Sequence, residues 1–199
     1  MIKEAIVLIV LMAAAPAHAG LTNLPSNPGF ETGALAPWFQ SRDASSSGVV
    51  EPWTVTPIDA HSGRFSAEVI NDLELRQNFA PTPVAAIKQL SFWLEHPNAS
   101  QAPASVSFFY ADGIEGFSAA VTQTTGWEFF NLTADLTPGE TLTGLSIFGY
   151  AGDPVSLTRV DDVKLLVASV PEPATAVMFG LSLATLVVTR RRAVKSRDH

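Results

Sequence analysis

Apolar positions along this 199-residue chain follow two different rhythms. Ala5–Ala15 and Ala174–Thr189 are uninterrupted, uncharged stretches, one near each end. Between them, apolar and polar residues alternate over short segments, the spacing of half-buried strands. Seven segments carry this pattern: Phe65–Ile70, Leu73–Phe79, Ala86–Glu95, Ala104–Tyr110, Trp127–Thr133, Leu142–Tyr150 and Val160–Val167. Gly, Pro, Asn and Asp separate them, as at Asn71-Asp72, Pro81-Thr82-Pro83, Asp112-Gly113 and Thr137-Pro138-Gly139. No window between the ends shows a sustained helical period with caps. The pattern predicts an all-β fold, an antiparallel β-sandwich of the jelly-roll kind.

Strand phase sorts the aromatic residues. Leu90, Phe92 and Leu94 share one face, leaving Trp93 with Ser91 and Glu95 on the other. Val106, Phe108 and Tyr110 likewise leave Phe109 with Ser105 and Ser107, and Phe130 and Leu132 leave Phe129 with Trp127 and Asn131. Trp93, Phe109 and Phe129 are therefore expected to line a sheet face together. They would serve as a ligand platform or pack beneath the long loop Ser41–Pro57. Trp38 is expected in the core. Trp53, between Pro52 and Thr54 in that loop, is expected to be the exposed tryptophan.

The two apolar ends belong to traffic. Lys3 and the free amine precede Ala5–Ala15, and Ala17-His18-Ala19 places small residues where a signal peptidase reads, so residues 1–19 are a signal peptide cut before Gly20. An uncleaved N-terminal anchor is the alternative. At the other end, Val170-Pro171-Glu172-Pro173 precedes the uncharged run, which spans about 24 Å as a helix against a hydrocarbon core of about 30 Å. Arg190, Arg191 and Arg192 follow it and hold that end in the cytoplasm. The prolines bar a helix from extending back through them. A plain C-terminal anchor needs only the run and the arginines, and leaves Pro-Glu-Pro unexplained.

This order resembles the PEP-CTERM sorting signal of bacterial exported proteins. The resemblance implies recognition by an exosortase, cleavage near the motif, and release or transfer of the body to the cell surface or extracellular matrix. The expected organisation is a signal helix over 1–19, a β-sandwich over 20–168, and a sorting signal over 169–199 with a single transmembrane helix at 174–189.

Removing both ends sharpens the charge. Between Gly20 and Val170 six basic residues face sixteen acidic ones, a net charge near −10 compared with −7 for the whole chain. Such a domain repels nucleic-acid phosphates and is compatible with divalent cations and neutral polysaccharides. The chain has no cysteine, which excludes disulfide staples and thiol catalysis. It has no His-Glu-x-x-His, no nucleophile elbow in the body and no phosphate-cradling glycine loop. Glu68, Asp72 and Glu74 cluster in sequence, but a strand and a turn carry them, which reads as a solvated hairpin rather than a catalytic pair.

Three stretches resemble galactose-binding-like jelly rolls. They are Asn27-Pro28-Gly29-Phe30-Glu31-Thr32-Gly33 with Trp38, then His61-Ser62-Gly63-Arg64-Phe65-Ser66-Ala67, and finally Val160-Asp161-Asp162-Val163-Lys164-Leu165. In carbohydrate-binding relatives the first and last help to build a structural calcium site. Carried over, this implies Glu31 and Asp162 as side-chain ligands, with backbone carbonyls near Gly29, His61 and Gly63, a hard-oxygen set that suits calcium. The alternative makes Glu31 a turn cap, and Asp161 and Asp162 a solvated strand edge. On a regular strand at most one of the two aspartates faces any given site.

The reading is a non-enzymatic, exported surface or matrix protein, processed by an exosortase and associated with exopolysaccharide. The alternative is a specific, lectin-like carbohydrate-binding module with Trp93, Trp53, Phe109 and Phe129 as its platform. A glycoside hydrolase is the minor alternative.

Overall fold

The computed structural model describes residues 20–41, 52–70, 73–99, 101–149 and 157–168. Leu21–Ala168 forms one compact unit. It is a sandwich of two antiparallel sheets. The first contains β3 (Thr54–Thr56), β4 (Ser66–Ile70), β11 (Leu157–Ala168), β6 (Ile87–Glu95) and β9 (Glu128–Asn131) in that order, with β1 (Leu21–Asn23) pairing the far end of β11. The second contains β2 (Phe39–Ser41), β5 (Glu74–Pro83), β10 (Thr141–Phe148), β7 (Pro103–Tyr110) and β8 (Glu115–Val121).

The alternation seen in the sequence is what closes the core. Leu90, Phe92 and Leu94 of β6 and Val106, Phe108 and Tyr110 of β7 are all buried in one cluster with Leu75, Leu145, Ile147, Val160, Val163 and Leu165. Fully burying such a side chain is worth about 1.5–3 kcal/mol. The opening motif folds into this core. Phe30 is buried and packs on Trp38 with ring centroids 5.8 Å apart. The indole N–H of Trp38 donates to the carbonyl of Asn27, whose side-chain amide bonds to the carbonyls of Ala34 and Ala36.

All seven expected segments contain strands, and four further strands (β1, β2, β3 and β8) were not anticipated. Three of these have only three residues, too short to show a period. The expected strand Leu73–Phe79 runs on through Pro81 to Pro83. Neighbouring β2 covers only Glu74–Arg76, so the rest of that edge of β5 needs no donor and tolerates proline. The expected Trp127–Thr133 ends at Asn131, because Thr133–Asp135 turns as a 3-10 helix.

Among the described residues no helix is long and apolar enough to cross a membrane. The expected signal helix, Ala17 and Ala19, Val170–Pro173, the helix at 174–189 and Arg190–Arg192 lie outside the described residues.

Candidate functional site

Two surfaces carry polar and aromatic side chains that the core does not use. The first lies on the outer face of the first sheet, where the turn containing His61 folds onto β6 and β11. The imidazole stacks on Trp93, centroids 3.7 Å apart and planes 16° apart, with the edge of Trp127 at 5.9 Å. Phe129, directly opposite Trp93 on β9, lies 5.5 Å from it and is 48% exposed.

Asp161 and Asp162 fix this turn. His61 Nδ1 lies 2.8 Å from Asp162 Oδ2, and Ser62 donates its hydroxyl to Asp162 Oδ1 at 2.9 Å. The Ser62 amide donates to Asp161 Oδ2 at 3.1 Å. Both aspartates reach one turn because the strand is not regular there. The β11–β6 register shifts between Asp161 and Lys164, and Asp162 takes a positive φ of 50°. This bulge corrects the expectation of a regular strand with one aspartate on each side.

Asp161 is 0% exposed, and burial pushes its carboxyl up to about 6. The amides of Ser62, Asp162 and His61 favour the anion, while the charge of Asp162 opposes it. Among the described residues no cation pairs with Asp161.

Glu31 completes the arrangement from the N-terminal loop. Its carboxylate accepts from the amides of Arg64 and Phe65 at 3.0–3.1 Å. Glycine is required at 63, where φ is +65° and a Cβ would lie 2.4 Å from Glu31 Oε1. A Cβ on Gly29 would sit 3.4 Å from Asp161 Oδ1, 3.6 Å from Asp162 Oδ1 and 3.8 Å from Glu31 Cγ, so two carboxylates and the stem of Glu31 surround that glycine. Among the described residues no group of three or more His, Cys, Asp or Glu is placed to hold a metal ion. A calcium ion here would therefore take most of its oxygens from the backbone. The donors fit in kind, and a buried carboxylate without a cation is what such an ion would neutralise.

The second surface is the outer face of the second sheet. One register row crosses all five of its strands: Phe39 on β2 faces Arg76 on β5, then Ser146 on β10, Ser107 on β7 and Phe117 on β8. At about 4.8 Å per strand the row spans about 19 Å. Its ends are exposed aromatics, Phe39 at 42% and Phe117 at 68%.

Arg76 lies flat over Phe109, 3.5 Å from the ring centroid, and 5.9 Å from that of Phe39. Its Nε donates to Asn78 Oδ1 at 3.0 Å. Gly144 makes room for that amide, since a Cβ there would come within 2.6 Å of the same oxygen. The hydroxyls of Ser107 and Ser146 are buried without a partner. Leaving such a group unsatisfied costs about 1–3 kcal/mol, and both serines are 0% exposed, so they form the closed floor of the row and the accessible groups are Phe39, Arg76 and Phe117.

The aromatic residues expected on one face are thus divided. Trp93 and Phe129 come together on the first sheet, whereas Phe109 lies on the second, because β7 and β6 belong to different layers. Trp53 is not exposed. It is 2% accessible, its indole N–H donates to the Leu73 carbonyl at 2.7 Å, and the Gln40 side chain clasps its backbone. The short strand β3 holds it against the core instead of in a loop. Glu68 does not sit on a solvated hairpin either. It accepts from Arg159 Nε at 2.7 Å, and Arg159 also reaches Glu95 at 3.0 Å and Asp59 at 3.3 Å. Sequence reasoning missed Phe39, Arg76, Ser146 and Phe117. Alternation from buried Leu75 would have turned Arg76 outward, but nothing local pairs it with Phe39.

Residues 169–192 match the PEP-CTERM protein-sorting motif. No curated protein matches the chain. Among solved structures, the sandwich is similar to TmCBM61, solved in complex with β-1,4-galactotriose, at 20% identity over 74% of this chain and 99% of that one, with a TM-score of 0.53. It is similar to the CBM22-1 xylan-binding domain of Paenibacillus barcinonensis Xyn10C at 13% identity over 78% and 100%, TM-score 0.53. It also resembles the enzymatically active domain of tailspike protein 4 from bacteriophage CBA120 at 16% identity, over 73% of this chain but only 21% of that one, TM-score 0.54. The likeness is one of fold, a jelly-roll sandwich of the carbohydrate-binding-module kind.

Proposed function

We propose that this chain is an exported bacterial protein that an exosortase processes at Pro171-Glu172-Pro173. Its β-sandwich then contacts exopolysaccharide at the cell surface or in the extracellular matrix, without catalysis. The match of residues 169–192 to the PEP-CTERM motif carries the sorting half of this reading. The row Phe39–Arg76–Ser146–Ser107–Phe117 supports the glycan half. It offers exposed apolar rings at its ends for sugar C–H faces and the half-buried Arg76 guanidinium between them for sugar oxygens. Two structural neighbours, one solved with β-1,4-galactotriose and one a xylan-binding domain, take ligands of that chemical class.

The outer face of the first sheet is the weaker platform, because His61 already covers one side of Trp93. We assign that region a structural role, with calcium held by Glu31, Asp162 and carbonyls near Gly29, His61 and Gly63. Such a tie would join the N-terminal loop to the last strand of a domain without disulfides.

Intact mass of the protein recovered from producing cells tests the sorting half. A mass lacking both ends, near Gly20 and near Pro171–Pro173, is expected. A mass retaining 174–199 would mean an anchored protein and would sink the exosortase reading. Retention on immobilised glycans, lost in Phe117→Ala, tests the body.

A further inference from the structure

The glycan-contact row holds one cation whose charge is not used within the fold. Arg159, the buried arginine of the first sheet, lies within ion-pair distance of three carboxylates. Arg76 lies within that distance of none among the described residues. It is half-buried, pinned on Phe109 through the flat of its guanidinium, and bonded through Nε to a neutral amide. Among the described residues no hydrogen bond engages its two terminal nitrogens, which form a planar fork that matches a carboxylate. Ser146, with its unpartnered hydroxyl, lies directly across the strand pair.

We infer that the row Phe39–Arg76–Ser146–Ser107–Phe117 recognises an acidic polysaccharide, one whose sugars carry carboxylates, with Arg76 as the specificity-determining residue. This rests on the glycan reading proposed above. A uronate carboxylate would sit on the Arg76 fork, above the buried Ser146 and Ser107, and the exposed Phe39 and Phe117 would carry sugar rings on either side. General attraction plays no part. The body has a net charge near −10. Glu74 stands two residues along β5, and Glu115 faces Phe109 on β8. The net charge therefore opposes a polyanion, and its carboxylate is received at the fork.

The test is affinity electrophoresis of the protein purified from producing cells, through gels containing alginate, carboxyl-reduced alginate or neutral β-1,4-galactan. Runs at physiological ionic strength limit unspecific charge effects to about 8 Å. At least tenfold tighter retention by alginate than by its carboxyl-reduced form is expected. Arg76→Gln should abolish that difference with only a small fall in melting temperature from the lost stacking on Phe109, and Arg76→Lys should restore only part of it. Should Arg76→Gln fail to fold, Arg76→Lys, which keeps the charge and removes the planar fork, carries the comparison. Equal retention by alginate and its reduced form would overturn the acidic specificity and leave the glycan reading standing. A preference for alginate that survives Arg76→Gln would remove Arg76 from the role. No retention by any of the three polymers would overturn both readings.

Discussion

His61 lies flat on Trp93, 3.7 Å between ring centroids, and its Nδ1 meets the carboxylate of Asp162 at 2.8 Å. One imidazole thereby joins the turn before β4 to two neighbouring strands, β6 and β11, far apart in sequence. A stacked pair is worth about 0.5–1.5 kcal/mol beyond its area, and a hydrogen bond to a charged group about 1.5–3 kcal/mol before solvent screening. Both His61 and Asp162 keep some exposure, which reduces the second figure. His61→Ala should cost about 1–2 kcal/mol in urea denaturation. His61→Phe should recover the stacking part only, and full recovery would show that the Asp162 contact contributes nothing.

Asp161 makes stability depend on pH in an unusual direction. Its folded carboxyl is raised from 3.8 to about 6, so the native state favours the protonated form. Without a bound cation its contribution is present below about pH 4 and is lost as pH rises to about 6, by up to about 3 kcal/mol. Asp161→Asn should flatten this part of the profile. Calcium should do the same by neutralising the anion, so wild-type protein at pH 7 should melt lower in chelator than in calcium, and Asp161→Asn should narrow that gap. Equal melting temperatures with and without calcium would return Glu31 and Asp162 to purely structural hydrogen bonding.

His96 works in the opposite sense. It is 0% exposed beside Thr122, and burial lowers its pKa from 6.5 to about 4, with the charge of Glu128 opposing the shift. The fold holds it neutral, so its contribution is complete above about pH 6.5 and is lost as pH falls towards 4, by about 3 kcal/mol. His96→Gln should remove that loss between pH 7 and 4.5. An unchanged difference in denaturation midpoint between these two pH values would show that His96 is not its source.

Arg159 is a costly residue to truncate on the first sheet. Its guanidinium is buried, and burial also holds the carboxyl of Glu95 above its usual range against the hydrogen bond from Arg159. Arg159→Ala leaves Glu95 and Glu68 without their cation and should destabilise by about 3–5 kcal/mol. Adding Glu68→Gln and Glu95→Gln should restore much of the loss. A triple variant no more stable than Arg159→Ala would place the penalty in lost packing instead of unpaired charge.

Local signals made most of this protein legible from its sequence. The alternation of Leu90–Glu95 and Ala104–Tyr110 determines which side chains enter the core, because strand geometry sends neighbours to opposite faces whatever surrounds them. Asn27–Gly33 with Trp38 determines a loop that closes on itself through Asn27. The order Pro-Glu-Pro, uncharged run, arginines is likewise a local pattern, readable without a fold. Assignment of a strand to a sheet is not local. Only the tertiary structure separates Phe109 from Trp93 and Phe129, since identical phase in two strands says nothing about the layer each one joins. Only the tertiary structure buries Trp53, through a three-residue strand too short to announce itself. It alone brings Phe39, Arg76, Ser146, Ser107 and Phe117 into one row. Each was a single outward residue on its own strand, and pairing across five strands is fixed by long-range register that no local window contains.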